Sequence, residues 1–215
     1  MTSLPHSLYG RMYLAAYDTD AGAVYDRTRT GFLLRVAVLT ELARTGRVAD
    51  AAGEVTVPGP GATDDPVLDH VLGALRGRRR TWKAWVRADR EETLGAVEDR
   101  LAELGALTVR ERSAFARPAR REVSVRDAAG VRAFQDGLRA RLRDGGAVGS
   151  DEAVLLALAV AGKVRHLVPR ADARAHKDRV EALTGTFDAV APSLGAAVRG
   201  LGTTLVAAQG GMGGG

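Results

Sequence analysis

The densest positive charge in the sequence runs from Arg76 through Arg78, Arg79 and Arg80 to Lys83, Arg87 and Arg90, and both tryptophans, Trp82 and Trp85, lie inside it. Cations in such a run can neutralise phosphates, each contributing about 1 kcal/mol at an anionic membrane surface, and a tryptophan beside them can sit at headgroup level. The competing reading is a solvated basic loop, with Trp85 and with it Trp82 in the core. A second cation stands apart. Arg35 lies within the oily stretch FLLRVAVLTELARTGRV, residues 32–48. There it is either an anion site or a core residue that packs its stem and pairs a carboxylate such as Glu41.

Other chemistry finds little support. The four histidines, His6, His70, His166 and His176, are scattered, and none has a second histidine or paired carboxylates at metal-ligand spacing. Asp18, Thr19 and Asp20 before Gly22 resemble half a calcium loop, but the downstream bidentate glutamate is missing, so a polar turn is expected. No GxSxG elbow, Walker loop or GxGxxG between a strand and a helix occurs. With no cysteine, disulfides and thiolate chemistry are excluded. The residues therefore point away from an enzyme, a metal centre or a cofactor site.

The net charge of +5 and a pI near 10 favour an acidic partner: phospholipid headgroup, nucleic acid or acidic protein. Arginine outnumbers lysine, which suits phosphate because the planar guanidinium presents a fork of donors. The same excess of Ala, Arg and Gly also follows from GC-rich coding. The N-terminus carries no signal-peptide pattern, and the longest strongly apolar run, residues 153–162, is about half of a bilayer span. A cytoplasmic protein is expected, one that meets a membrane from the side, at its inner face.

These groups need a scaffold, and the hydrophobic periodicity supplies a helical one. Residues 4–16 form a short helix begun near Ser3 or Ser7. Residues 32–48 form an amphipathic helix stopped at Gly46. Residues 47–57 make a hairpin around Ala51-Ala52-Gly53. Asp65 caps a helix that has Pro66 at its first position. Residues 91–104 carry the stripe Leu94, Val97, Leu101 and Leu104 and end at Gly105. A second hairpin is expected from 106–109 and 113–116 across Arg110-Glu111-Arg112, followed by a basic loop at 118–121. Helices follow at 127–143, 151–167, 171–183 and 192–209. Residues 151–167, oily on nearly all sides, are expected to be central. The fold class is mainly α: one helical domain over residues 1–209 with a central apolar helix and one or two β-hairpins, then a disordered glycine-rich tail, 210–215.

The order of several segments resembles the Golgi phosphoprotein 3 family, including its bacterial members. They are LYGRMYLAAYDTDAG, FLLRVAVLTELARTGRV, DPVLDHVLGALR, VEDRLAELGALTVRE and DEAVLLALAVAGKV, spread over almost the whole chain. The resemblance implies a single, mostly helical domain that binds membranes peripherally through the phosphatidylinositol 4-phosphate headgroup. Arg35 falls on the position of a family arginine that helps hold the phosphate. The family's aromatic residue nine positions earlier aligns with Asp26, with Tyr25 one residue away. Two further family arginines correspond to Glu91 and Leu94, while Arg87 and Arg90 repeat their spacing one turn earlier. The family's second hairpin is associated with self-association and membrane insertion. Here its tip is polar and only Phe115 is large.

The expected function is a peripheral membrane-associated adaptor that binds anionic phospholipid headgroups, with Arg35, Tyr25, Arg87 and Arg90 at the headgroup and Arg78, Arg79, Arg80, Lys83 and Trp82 on the membrane-facing patch. The alternative is a protein-interaction scaffold whose basic face meets an acidic client. A homo-oligomer is compatible with either. Nucleic acid ranks below both, because neither a polar recognition helix nor an aromatic strand platform accompanies the charge.

Overall fold

The computed structural model describes residues 4–114 and 117–202, with the side chains of 111–120 outside the description. Its hub is helix α2, Arg27–Arg44, in which every residue from Thr30 to Thr40 is buried. A helix buried all round needs neighbours on every side. α2 packs against α1 (Leu8–Ala16), α3 (Pro66–Leu75), α4 (Trp82–Arg87), α5 (Arg90–Glu103), α7 (Ser150–Ala161), α9 (Lys177–Val190) and α10 (Pro192–Arg199). Helix α7, also oily over Ala153–Ala159, lies against α1, α2 and α9. The core thus has two apolar helices, with α2 the more widely contacted.

Local chemistry accounts for most boundaries. Ser7, Asp26, Asp65, Thr81 and Asp127 each accept a backbone N–H at the start of a helix, as short polar caps do. α2 begins five residues earlier than its oily stripe because Asp26 caps it. It ends where Gly46 turns left-handed at φ 68°, and Arg47 N–H donates back to the Leu42 carbonyl. The expected hairpin is β3 (Ala49–Ala51) with β4 (Glu54–Thr56), extended by β5 (Arg80–Thr81) into a three-stranded antiparallel sheet. A two-stranded ribbon, β1 (Tyr17–Asp18) with β2 (Ala23–Val24), joins α1 to α2.

The structure differs from expectation in four places. The second hairpin, β6 (Leu107–Ala114) with β7 (Arg117–Val125), continues through the segments expected as a turn and a basic loop. Between Val109 and Val123 its described stretch is dominated by charge, so no apolar alternation marks the strands. Phe115 lies outside the described residues, as does the tail 210–215. Helix α7 stops at Gly162, where a Cβ would lie 2.7 Å from Leu33 and Lys163 turns to φ 55°. The helix expected at 171–183 divides into α8 (Arg170–Ala175) and α9, and the one expected at 192–209 is C-capped at Gly200, with residues 203–209 outside the described residues. α6 (Ala128–Arg143) covers the remaining side through Val131, Leu138 and Leu142. Among the described residues no helix is long and apolar enough to cross a membrane.

Candidate functional site: the seam between α2 and α5

α2 and α5 approach closely because position 31 is glycine. A Cβ there would come within 2.8 Å of the Arg90 carbonyl oxygen. This closeness brings the start of α5 onto Arg35, whose side chain is fully buried. Its Nε donates to the Trp85 carbonyl at 3.0 Å, and Nη1 donates to Thr93 Oγ1 at 3.1 Å. Thr93, also buried, donates its hydroxyl hydrogen bond to the Asp89 carbonyl at 2.8 Å. The Arg35 guanidinium lies 6.0 Å from the centre of the Trp85 ring, which Arg80 also approaches, at 5.1 Å.

Two of the five guanidinium donors are thereby used. Nη2 makes no hydrogen bond among the described residues. The nearest carboxylate oxygen to it is Asp89 Oδ2 at 3.7 Å, on a side chain 44% exposed. Burial pulls the Arg35 pKa down, and the charges of Asp89 and Glu92 oppose that. Buried cations are ordinarily paired at contact distance, so Arg35 is under-compensated. It does not pair with Glu41. Glu41 instead accepts the Leu8 N–H at the start of α1, at 3.1 Å, and burial pushes its carboxyl up to about 7.

Asp89 itself is unusual. It sits between α4 and α5 in the left-handed region, φ 48°, a conformation that non-glycine residues adopt at a cost. It occupies the N-cap position of α5, yet its side chain caps none of the helix's leading N–H groups. Its carboxylate turns toward Arg35 instead.

The seam's opposite end is built the other way round. Glu98 of α5 is fully buried and takes both nitrogens of the Arg27 fork, Oε1 at 2.7 Å and Oε2 at 3.2 Å, together with the Tyr13 hydroxyl at 3.3 Å. Arg121 Nε of β7 lies 3.4 Å from Oε2. The pairing raises the Arg27 pKa, and burial beside this carboxylate raises that of Tyr13.

Residues 76–90 form the rest of the site. They hold seven Arg and Lys against one Asp, a net +6, whereas the whole chain carries +5, so the remainder is close to neutral. Arg78, Arg79, Arg80, Lys83 and Arg87 are exposed, and Arg90 is half-buried with its guanidinium 5.1 Å from the Phe32 ring centre. A cavity of about 410 Å³ lies beside this segment, lined among others by Val57, Pro60, Arg76, Arg78 and Arg79.

Three expected placements change. Trp82 is 1% exposed and belongs to the core with Trp85, so it is not part of the surface patch. Its position at the start of α4 turns it inward, where α4 packs on α2 and α10. Tyr25 lies outside the Arg35 cluster: its ring faces His166 at 5.9 Å, and its N–H donates to the Ala16 carbonyl. Arg87 and Arg90 are not neighbours along one helix. Arg87 ends α4 and Arg90 begins α5, with the Asp89 turn between them. Asp26, at the position of the aromatic residue, is the N-cap of α2 and accepts the Arg29 N–H.

Asp89, Thr93 and Glu98 are the residues that sequence reasoning missed. Glu98 had a signal, since it falls in phase with Leu94, Val97 and Leu101 on the buried stripe of α5. Asp89 had a weaker one, as the only acid inside the basic run.

The family model for Golgi phosphoprotein 3 matches residues 8–201. The chain belongs to this family. A search of curated proteins finds no match. In this Golgi phosphoprotein 3 family member, the two positions that the resemblance aligns with further family arginines hold Glu91, exposed, and Leu94, 2% exposed within the core. The buried arginine of α2 is present without that pair.

Proposed function

We propose that the protein is a peripheral membrane-associated adaptor that binds anionic phospholipid headgroups. The observation that carries this reading is the gathering of the chain's net positive charge into residues 76–90, largely exposed and continuous with the under-compensated Arg35. Family membership supports it. Exposed cations at a charged surface act additively, at about 1 kcal/mol each, so Arg78, Arg79, Arg80, Lys83 and Arg87 together supply attraction enough for reversible attachment.

No large apolar side chain stands exposed in this segment. The exposed large hydrophobics among the described residues are Leu4, Tyr25 and Leu104. Attachment through residues 76–90 is therefore electrostatic and salt-sensitive. Sedimentation with phosphatidylcholine vesicles, with and without anionic lipid, tests it. Binding should require the anionic lipid, fall at high salt and be lost in R78E/R79E. Equal binding to neutral vesicles, or an unaffected double variant, rejects it.

A further inference from the structure

Two antiparallel ribbons leave free edges on one space. Among the described residues β1 pairs only with β2, and β6 only with β7. A cavity of about 730 Å³, which shares no lining residue with the basic run 76–90, is walled by residues 21–24 of the first ribbon and 122–124 of the second. Successive strand residues point to opposite faces of a sheet, so consecutive residues along one wall mean that each ribbon meets the cavity edge-on. The registers tell which backbone groups lie on those edges, because bonded and non-bonded residue pairs alternate along an antiparallel ladder. Tyr25 N–H donates to the Ala16 carbonyl directly opposite, so the next pair, Tyr17 with Val24, is non-bonded and Val24 turns its N–H and C=O away from β1. Arg126 N–H donates to the Ala106 carbonyl in the same way, so Val125 and then Val123 turn theirs away from β6. The Val125 N–H meets the Tyr17 hydroxyl. The outward groups of Val24 and Val123, both half-buried, have no backbone partner among the described residues. Backbone polar groups withdrawn from solvent call for partners.

We propose that the slot between β2 and β7 is a docking site for an extended acidic segment of a partner protein, which enters as an added strand. One strand residue takes about 3.3 Å along its length, 4.8 Å across and 10 Å through a sheet, so the cavity accommodates roughly four to five residues. Charge selects among extended segments. Arg27, Arg110 and Arg121 line the slot against one acid, Glu122. Arg121 is held by Glu98 and Asp99. Arg27 spends two of its five donors on Glu98 and stays half exposed. Arg110 is exposed and makes no ion pair among the described residues. Acidic side chains at alternate positions of the incoming strand meet Arg110 and the spare donors of Arg27, while its main chain supplies the partners that Val24 and Val123 lack.

Fluorescence anisotropy of a labelled, N-acetylated peptide alternating valine and glutamate tests the site. Two analogues accompany it: one with lysine for glutamate, and the acidic peptide N-methylated throughout, which keeps the charge but removes every backbone donor. The acidic peptide should bind, and each analogue should bind about tenfold more weakly or worse. Arg110→Glu should weaken the acidic peptide by a similar factor and shift the preference toward the lysine analogue. Arg110→Gln should repeat the loss without placing two acids opposite each other, since Glu122 is the cross-strand neighbour of Arg110. R78E/R79E, outside the slot, should bind the acidic peptide as wild type does. Absence of binding, or equal binding of the N-methylated peptide, overturns strand addition. Release by R78E/R79E with both Arg110 variants unaffected moves the peptide to the basic run and overturns the slot. A protein that sediments as a dimer until the acidic peptide dissociates it makes a second copy the occupant and overturns the foreign partner.

Discussion

Glu98 and Arg35 sit on the same seam, both fully buried and both charged, and they are compensated in opposite ways. The carboxylate has a bidentate arginine, a tyrosine hydroxyl and a second arginine at 3.4 Å. The guanidinium has a carbonyl, a hydroxyl and one carboxylate out of hydrogen-bond range. A buried charge surrounded to capacity has nothing left to offer and serves the fold. A buried charge with donors to spare costs stability and keeps the capacity to bind. The seam thus separates a saturated ion cluster at Glu98 from an unsaturated one at Arg35.

The sharpest way to break this comparison is to empty the saturated end. Glu98→Ala removes the shared acceptor of Arg27 and Tyr13 and leaves a void, so a loss of about 2–4 kcal/mol is expected from the urea midpoint. A loss below that of Arg35→Met would invert the assignment.

Glu41 extends the comparison to a half-buried carboxylate that, among the described residues, has no cation at contact distance. Its folded pKa, about 7, lies above the usual carboxylate value, so the protonated form is favoured on folding. Its contribution is therefore fully present below the ordinary carboxylate pKa and is lost as pH rises through 7. Glu41→Gln should be more stable than wild type at pH 8 by about 1–2 kcal/mol, once partial exposure is discounted. The advantage should vanish near pH 4.5, as thermal melts across that range would show. An advantage independent of pH would remove burial of the charge as its cause.

The unsaturated end should respond less to loss of its charge. Arg35→Met keeps the aliphatic stem and discards a poorly compensated cation, at an expected cost of about 1 kcal/mol, with loss of the proposed anion binding. A cost of several kcal/mol would make Arg35 a structural residue like Glu98. Smallest of all is Arg121→Gln. Its side chain is partly exposed and Glu98 keeps Arg27, so a change of about 0.5 kcal/mol or less that diminishes with salt is expected in denaturant titrations.

The fold was legible where one rule dominated. The stripes of α2 and α5, the cap at Asp65, the glycine stops at Gly46 and Gly105 and the first hairpin all follow from local sequence. It was less legible where tertiary context decides. β6 and β7 carry charge where a buried strand would alternate, and the break between α8 and α9 falls at His176, which no glycine or proline announces.

The site was half legible. Arg35 was visible as a cation in an oily helix, and the basic run as a cluster. Which carboxylate faces Arg35 could not be read, because Asp89 lies 54 positions away and is brought there by the packing of α5 on α2. Trp82 shows the same limit in reverse. A tryptophan among arginines looks the same in sequence whether it faces water or the core.

The approach at Gly31 gives this seam a mechanical tolerance. One hydrogen atom in place of a methyl group lets the backbones of α2 and α5 touch, and a Cβ would meet a main-chain carbonyl that cannot rotate away. Position 31 therefore works as a shim of zero thickness. Any side chain there must push the start of α5 away from α2, so the gap between Arg35 and Asp89 depends on a residue that carries no charge.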